Sequence, residues 1–391
     1  MGPSWFDDLL HSLLSVKLLG GGACIGSFTD IREEPPLMEE PKLTMNIAII
    51  GCGVIAPVHA RCLNAIPAVH ITWACDIIPE KARGLAGEFD IPRTSEDYLE
   101  VLADADLDAV CVCTDHASHV SITVAAIKAG KHVLVEKALA ADPDGLEEMF
   151  AAHAERPEVI FGAVFQHRFD PEYRYLRQLA REGAFGQILN ASVQMRCLRT
   201  SDYYQGDKWR GTWAQEGGAL LINQAIHFID ILLWIAGPAR EVCGRHANLT
   251  HGKALEAEDT AAAVLQFESG ALGVLEATSS SHLHWDPIVA VHGTKGSVVL
   301  GDGVPLKLEF ADPDLQGAAE KEFAKIADDQ IQIAGKDYYG KGHPAQIADF
   351  VDAVRNRRKP FVTAGSARVT VETVLAIYRS QNDHGWVKPR S

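Results

Sequence analysis

A short apolar segment followed by a Gly-x-Gly-x-x-Ala turn constrains the fold of this chain more than any other feature. Residues 46–50 form an apolar run typical of a buried strand, and a helical pattern begins at Pro57. In such a turn the first glycine permits a tight bend, and the second lets the backbone approach a phosphate. The positive end of the helix then attracts anions. The pattern predicts a dinucleotide site, and its loop residues are Gly51, Gly53, Val54, Ile55 and Ala56.

Strand and helix patterns alternate beyond this turn. The predicted helices cover residues 57–66, 80–88 and 119–129, and the predicted strands cover residues 71–75, 108–113 and 132–136. Strands that alternate with helices of this length form βαβ units and a parallel sheet with both faces covered. The fold class is therefore α/β, with a Rossmann-type doubly wound parallel sheet over residues 45–165.

Asp76, at the end of the second predicted strand, indicates which dinucleotide binds. A carboxylate 25 residues beyond Gly51 accepts hydrogen bonds from the ribose hydroxyls of NAD. It would repel the 2′-phosphate of NADP by about 4 kcal/mol at contact distance. Arg83, on the following helix, is the alternative that would favour NADP. The sequence predicts NAD, with NADP less favoured.

Charge and composition exclude several classes of partner. The formal net charge is −16, whereas nucleic acids and anionic membranes bind basic surfaces. No apolar stretch reaches the ~20 residues of a membrane helix. The eight cysteines include Cys75, Cys111 and Cys113 in apolar runs, which indicates buried thiols and a reducing, cytoplasmic location. A small anionic substrate stays compatible with this charge, because one or two arginines suffice to bind it.

The first 44 residues are interpreted as an extension without a catalytic role, disordered or partly helical. Apolar residues recur there at helical spacing until Gly20-Gly21-Gly22 ends the pattern. Asp7 and Asp8 precede any lysine, which argues against a secretory signal.

Several further segments resemble one enzyme family. Besides the glycine-rich turn they are Thr114 with His119, and residues 130–137, 209–213, 217–230 and 343–378. Together they are similar to the glucose-fructose oxidoreductase and inositol dehydrogenase family, often called Gfo/Idh/MocA. The resemblance implies that Thr114, His119, Glu136 and Lys137 join the NAD site. It also implies an oxidoreductase that acts on an alcohol of a sugar or polyol.

The resemblance also implies a second α/β domain, over residues 166–342, with an open, mostly antiparallel sheet. In the family this sheet commonly forms oligomer contacts, so a homodimer or homotetramer is expected. The sequence agrees, since alternating apolar runs occur at 187–198, 260–267, 271–278, 287–293 and 296–300. Glycine-containing breaks at 269–270 and 293–296 predict hairpins. Residues 343–385 are expected to pack back on the first domain.

Three residues are the candidates for catalysis, and the family resemblance implies that Lys137 and His227 lie at the substrate hydroxyl. Lys137 follows a strand at the edge of the sheet where ligands bind. Asn223 and His227 are four residues apart in a predicted helix and would project from one face. Asn223 cannot take a proton and is interpreted as a positioning residue, whereas His227 is the expected acid or base and Lys137 holds the alkoxide or shares the proton path. Which of the two is the formal base is left open. Asp230 would orient the imidazole or bind backbone.

Substrate contacts are predicted mainly near Trp209 and Arg210. Arg210 either pairs with a substrate carboxylate or phosphate, or stacks on Trp209 or Trp213 without a ligand. No metal site is expected, because no Cys or Glu at suitable spacing completes a set with His116 and His119. The other candidates for the pocket are Gln166, His167, Arg168, Asn223, His227, Tyr338, Tyr339 and His343.

Three positions depart from the family pattern. Ala138 follows Lys137 where proline is usual, Asp115 replaces another proline, and Ala219 stands where a third glycine is common. None removes a reacting group. The sequence thus predicts a NAD-dependent dehydrogenase of a secondary alcohol. The alternatives are a glycoside hydrolase of the same fold that oxidises its substrate transiently and recycles NADH, and a non-catalytic NAD sensor.

Overall fold

The computed structural model describes residues 44–328 and 341–390. The predicted N-terminal extension, apart from Thr44, lies outside the described residues. So do Tyr338 and Tyr339.

Six parallel strands form the first sheet. They are β1 (Met45–Ile50), β2 (Val69–Cys75), β3 (Arg93–Ser95), β4 (Ala109–Val112), β5 (His132–Val135) and β6 (Phe161–Ala163), and they lie in the order β3-β2-β1-β4-β5-β6. The intervening helices are α1 (Ala56–Asn64), α2 (Pro79–Phe89), α3 (Tyr98–Leu102), α4 (His116–Lys128) and α5 (Pro143–Glu155). The predicted doubly wound sheet is confirmed. The strand order reverses between β1 and β4, which is where such sheets bind ligands.

Helix α4 begins three residues before the predicted start. The Asp115 carboxylate accepts hydrogen bonds from the backbone nitrogen of Ser118 at 3.1 Å and from its hydroxyl at 2.7 Å. Asp115 is therefore the N-cap, which satisfies a backbone donor of the first turn. The residue that replaces the family's proline thus starts the helix earlier.

Seven strands form the second sheet. They are β7 (Ile188–Leu198), β8 (Ala239–Ala247), β9 (Thr260–Phe267), β10 (Leu272–Thr278), β11 (Ser280–Gly293), β12 (Gly296–Gly301) and β13 (Val304–Phe310). Their order is β13-β12-β11-β7-β10-β9-β8, and β7 with β10 is the parallel pair in an otherwise antiparallel ladder. The β9–β10 and β11–β12 hairpins occur where glycine-containing breaks predicted them.

The remaining helices cover the second sheet and return to the first. They are α6 (Pro171–Arg181), α7 (Ser201–Gln205), α8 (Ile226–Ala236), α9 (Pro313–Asp328), α10 (His343–Arg355) and α11 (Ala364–Asn382). Helix α10 buries Ile347, Phe350 and Val351 in the apolar core around β1 and α1. Helix α11 packs mainly on β8 and α8.

Helix α8 is preceded by a π-helical turn, Leu220–Ala225, so the predicted helical stretch is π-helical at Asn223 and α-helical at His227. A π-turn adds a residue per hydrogen-bonded ring, and such turns occur frequently at functional sites. Nearly every residue of this turn and of α8 is buried.

Seven cysteines lie in the described residues as free thiols, and Cys75, Cys111 and Cys113 are buried in or beside strands, as predicted. Among the described helices, none has both the length and the apolar character of a membrane-spanning segment.

Candidate active site

The two glycines of the turn meet very different surroundings. Gly51 has a φ of +91°, and a Cβ built on it would lie 2.6 Å from the carbonyl carbon of Cys113. A side chain is excluded there on both counts. A Cβ on Gly53 would meet no protein atom within 4 Å. The space beside Gly53, at the start of α1, therefore fits the phosphates of a dinucleotide.

Asp76 directly follows β2 and is hydrogen-bonded to the glycine-rich turn. Its carboxylate accepts hydrogen bonds from the backbone nitrogens of Cys52 and Ile78, both at 2.8 Å. Arg83, the residue that would favour NADP, forms a surface pair with Glu80 at 2.6 Å. The arrangement fits the NAD site expected from sequence.

Glu136, the last residue before Lys137, points away from solvent. Its carboxylate bonds to His59 Nε2 at 2.8 Å and accepts from the Lys137 backbone nitrogen at 3.2 Å. Burial alone would raise the pKa of Glu136, but the hydrogen bond and charge of His59 outweigh it and lower the pKa to about 2. Burial opposes a charged His59, yet Cys113 and Glu136 raise its pKa well above the usual value. An ionised pair thus lies beneath the Lys137 backbone, and sequence reasoning missed His59.

Lys137 is held by Asn223. Its Nζ donates to Asn223 Oδ1 at 2.7 Å and to the Asn223 backbone oxygen at 2.9 Å. Burial lowers the pKa of Lys137 to about 8, against the opposing influence of Glu136 and Glu216. The two residues predicted to share the site are therefore in direct contact, although 86 positions separate them.

Glu216 is a buried carboxylate that sequence reasoning missed. It is 1% exposed and accepts hydrogen bonds from the backbone nitrogen of Gly211 and from Asn223 Nδ2. Burial raises its pKa to about 7. An acidic residue directly before the Gly217-Gly218 pair was the available signal.

His227 lies near Lys137 in the first turn of α8. Burial, and then the charge of Lys137, lower its pKa well below the usual value, so the imidazole is neutral. Its Nδ1 is buried and has no hydrogen-bond partner among the residues that the structure describes.

Asp230 does not orient His227, and it does not bind backbone. Its carboxylate accepts from Arg168 Nε at 2.7 Å, from Arg168 Nη2 at 2.6 Å and from the Thr370 hydroxyl at 2.7 Å. Both predicted roles of Asp230 are therefore wrong. A deeply buried guanidinium needs such a bidentate partner, which also makes Arg168 a structural residue and not a pocket residue.

His119 fixes the loop that carries Lys137. Its Nδ1 donates to the Ala138 carbonyl at 2.7 Å, and its Nε2 lies 3.2 Å from the Thr114 carbonyl. The Lys137–Ala138 peptide bond is cis, although no proline is present. The contacts of His119 and of Thr114 shown here are thus with the backbone around the predicted cofactor site.

Arg210 stacks between aromatic rings. Its guanidinium lies 4.5 Å from the Tyr203 ring centroid and 4.8 Å from that of Trp209. It also donates to Asp207 at 2.8 Å and to the Tyr203 hydroxyl at 2.5 Å. The stacking on Trp209 that the sequence offered is present, and Tyr203 is a second ring that the sequence reasoning did not name.

The remaining pocket candidates differ in their distance from the reacting groups. The centroid of the His167 ring lies 5.1 Å from that of His227, and His167 Nδ1 is hydrogen-bonded to Asp170 Oδ2 at 2.5 Å. His343 is buried, with its ring centroid 6.3 Å from that of His59, and Gln166 is buried in a short 3₁₀ turn. Within the described residues no group of three or more His, Cys, Asp and Glu is arranged to hold a metal.

Comparisons with known proteins agree with this geometry. Residues 45–163 match the family described as "Oxidoreductase family, NAD-binding Rossmann fold", and residues 173–299 match the "GFO/IDH/MocA C-terminal domain". The scyllo-inositol 2-dehydrogenase (NAD(+)) of Bacillus subtilis (strain 168) is 27% identical over 344 residues, which cover 85% of this chain and 93% of that protein. Myo-inositol 2-dehydrogenase of Thermotoga maritima is 28% identical over 65% of this chain and 74% of its own length.

A solved structure is similar over nearly the whole chain. The WlbA dehydrogenase from Bordetella pertussis, in complex with NADH and UDP-GlcNAcA, superposes with a TM-score of 0.81 at 25% identity, covering 91% of this chain and all of that one. The family resemblance, the fold class and NAD as the cofactor are confirmed. The chain belongs to the GFO/IDH/MocA family of oxidoreductases, and its first sheet is that family's NAD-binding Rossmann fold.

Proposed function

We propose that this chain is a NAD-dependent dehydrogenase that oxidises a secondary alcohol of a cyclic sugar, sugar derivative or polyol. The observation that carries the proposal is the Lys137 amine. It lies at the ligand-binding edge of the first sheet, beside a neutral His227, with two of its hydrogens bound by Asn223. The inositol dehydrogenases and the dehydrogenase bound to UDP-GlcNAcA support a ring-shaped carbohydrate as substrate.

NAD supplies the hydride acceptor when it is bound. Gly51 permits the tight turn, Gly53 would leave room for its pyrophosphate, and Asp76 would accept from its ribose hydroxyls. Thr114, His119 and Glu136 lie at the strand ends that would surround the nicotinamide. Glu136 is held there by His59, and His119 is held by its bond to the Ala138 carbonyl in the loop that carries Lys137.

Lys137 is the base in this proposal. A general base works best when its pKa is close to the operating pH, and burial lowers the pKa of Lys137 to about 8. The neutral amine takes the hydroxyl proton as the carbon–hydrogen bond breaks. The ammonium that results stands beside the new carbonyl oxygen, where positive charge stabilises developing negative charge.

His227 then orients the alcohol and does not take its proton. Its lowered pKa makes it a weaker base than Lys137, and in the described part of the chain its Nδ1 has no carboxylate partner to orient the ring. A neutral imidazole still offers one donor and one acceptor to a substrate hydroxyl. This assignment replaces the sequence-based preference for His227 as acid or base.

Arg210 and Trp209 form the side of the pocket that would select the substrate. The contacts shown within residues 44–328 and 341–390 use Nε and Nη1 of the guanidinium beside two aromatic rings, and Nη2 would suit a ring-shaped substrate that carries a carboxylate or phosphate. A nucleotide-linked sugar acid combines these features.

The deciding experiment measures NADH formation with free sugars, sugar acids, sugar phosphates, nucleotide sugars and inositols. With the best substrate, Lys137→Ala is expected to reduce kcat by about 10²–10⁴-fold with little change in NAD affinity. Lys128→Ala, an exposed lysine at the end of α4, is the matched control. Equal losses of kcat and NAD affinity would make Lys137 a cofactor or structural residue.

Two other functions make different predictions in the same assay. A glycoside hydrolase that recycles its cofactor releases aglycone from a chromophoric glycoside with no net NADH. A NAD sensor binds NAD with no turnover of any substrate. The pairing of Lys137 with Asn223 beside His227 counts against the sensor, and the inositol dehydrogenases among the relatives favour the dehydrogenase over the hydrolase.

We also propose that the second sheet pairs with a second copy of the chain. Val264 and Val274 lie opposite each other on β9 and β10 and are 42% and 46% exposed, and Leu272 on the same face is 51% exposed. Apolar side chains on an open sheet face are typical of an interface. Val264→Glu with Val274→Glu is expected to convert the oligomer to a monomer in light scattering, and a wild-type monomer would contradict the proposal.

A further inference from the structure

We propose that Glu216 is a positioning residue, which fixes the orientation of the Asn223 amide and thereby aims Lys137 at the substrate hydroxyl. The inference rests on the proposed function for its consequence in catalysis. Its geometric part, the control of Lys137 through Asn223, can be tested without a substrate.

The first step concerns the amide of Asn223. A carboxylate offers only acceptors, so the Asn223 group that contacts Glu216 must be the NH₂. The amide oxygen is then directed to Lys137, 2.7 Å away. The ammonium form of Lys137 selects the same orientation because it only donates, but the neutral amine can also accept, and then Glu216 is the contact that keeps the amide oxygen directed to the lysine.

The second step concerns the directions left to Lys137. An ammonium has three N–H groups, and Asn223 accepts two of them through Oδ1 and its backbone oxygen. One direction remains, occupied by the third N–H in the charged form and by the lone pair in the neutral form. The substrate proton can therefore reach the Lys137 nitrogen from one direction only, and the two bonds to Asn223 determine that direction.

The third step concerns charge. Both contacts of Glu216, with Gly211 nitrogen and Asn223 Nδ2, require an acceptor, and its two carboxylate oxygens satisfy both. Burial raises the pKa of Glu216 to about 7, so above that pH its negative charge favours the ammonium form of Lys137 from two hydrogen bonds away. Asn223 is neutral, so Glu216 supplies the charge that a carboxylate at position 223 would otherwise bring.

The backbone around Glu216 keeps it in place. Gly217 and Gly218 follow with φ values of +77° and +141°. A Cβ on Gly217 would lie 2.2 Å from the Ala141 carbonyl oxygen, and one on Gly218 would lie 2.2 Å from the Tyr378 hydroxyl. The segment is pressed between these two groups, so Glu216 has little freedom to turn away from Asn223.

The test is Glu216→Gln, read by the titration of Lys137. A glutamine has one acceptor oxygen for these two donors, and when that oxygen stays with the Gly211 nitrogen its NH₂ faces that of Asn223, so the Asn223 amide turns and presents NH₂ to Lys137. Loss of the charge and this reversal both disfavour the ammonium form. The pKa of Lys137 is expected to fall by about one unit, measured by NMR of protein with [¹³Cε]lysine and assigned with Lys137→Arg. With substrate, kcat is expected to fall about 10- to 100-fold, with the KM for NAD unchanged.

The double variant Glu216→Gln with Asn223→Asp separates positioning from structural support. It restores a carboxylate that accepts from Lys137 on one side and from the new amide on the other, so it also serves if the single variant is unstable. Its Lys137 pKa is expected to return to the wild-type value or above, and kcat to recover at least about tenfold over the single variant.

The matched control is Glu258→Gln. Glu258 is also a fully buried carboxylate, but it accepts from the backbone nitrogens of Ala219 and Leu221 and from Tyr378. Loss of the Glu258 carboxylate is expected to leave the pKa of Lys137 unchanged. An unchanged Lys137 titration in Glu216→Gln, or a double variant no better than the single one, overturns the proposal. A chain that turns over no substrate yet shows the predicted titration shifts overturns only the proposed function.

Discussion

Lys137 donates two hydrogen bonds to a single residue, Asn223, through Oδ1 at 2.7 Å and through the backbone oxygen at 2.9 Å. Lys137 follows β5 of the first sheet, whereas Asn223 precedes α8 beside the second. The contact joins the two halves of the candidate site and presents one remaining position of the amine to a substrate.

The pH dependence of oxidation follows from this amine. Burial lowers the pKa of Lys137 to about 8, and the proposed active form is the neutral amine. The value of kcat/KM for alcohol oxidation should therefore rise with pH through about 8 and level off above it. In His227→Gln the value of kcat/KM should be lower at every pH, but the pH at which it rises should be unchanged. A rate that declines from pH 7 to pH 9 would exclude Lys137 as the base.

The two glycines of the turn should respond differently to alanine. Gly51→Ala combines a positive φ with a contact of 2.6 Å, so it is expected to lower the free energy of unfolding by at least about 1–3 kcal/mol. Gly53→Ala finds open space and should leave stability within about 1 kcal/mol of the parent. Its dissociation constant for NAD should rise at least about tenfold. Denaturant unfolding and NAD titration measure the two effects, and normal NAD binding by Gly53→Ala would remove the phosphate site from this turn.

Substitution of Asp76 should change the choice between cofactors. Asp76→Asn keeps one oxygen for the Cys52 or Ile78 amide but removes the charge that repels a 2′-phosphate. NAD affinity should fall, and the preference for NAD over NADP should relax by about tenfold or more. Asp90→Asn, an exposed carboxylate at the end of α2, is the control. An unaltered cofactor ratio in Asp76→Asn would mean that this carboxylate does not face the ribose.

Asp230 should matter for stability and not for proton transfer. Asp230→Ala leaves the buried Arg168 guanidinium without its bidentate partner, at an expected cost of about 3–5 kcal/mol in the free energy of unfolding. The pH at which the oxidation rate rises should stay unchanged. Asp202→Asn, on the surface of α7, should change stability by less than about 0.5 kcal/mol. If the pH at which the rate rises shifts in Asp230→Ala, Asp230 takes part in proton transfer after all.

The local features of the chain could be predicted because they depend on neighbours in sequence. The turn from Gly51 to Ala56, the strand ending at Asp76 and the hairpin after β9 are set by glycine placement and by apolar periodicity. The placement of Lys137 beside Asn223 was inferred from family resemblance, and the structure brings the two residues into contact.

The features that sequence reasoning missed depend on contacts between distant segments. Arg168 and Asp230 are 62 positions apart, and His59 and Glu136 are 77 apart. Spacing along one helix placed Asp230 near His227 but carried no information about a guanidinium from another element. The π-turn before α8 was missed because it has no periodicity of its own in the sequence. Glu216 was missed because its burial depends on the two glycines that follow.

The contact between Lys137 and Asn223 also determines how this chain can be divided. The first half of the chain supplies Lys137 and the second half supplies Asn223, and two hydrogen bonds join them. The Lys137 amine is oriented toward a substrate only when both halves are present. Cutting the chain between β6 and α6 would separate the two partners and also take α10 from the core around β1 and α1, so neither fragment would carry a proton acceptor aimed at an alcohol. Chemistry would return only when the fragments reassemble, so complementation of split fragments would report their docking as a gain of turnover.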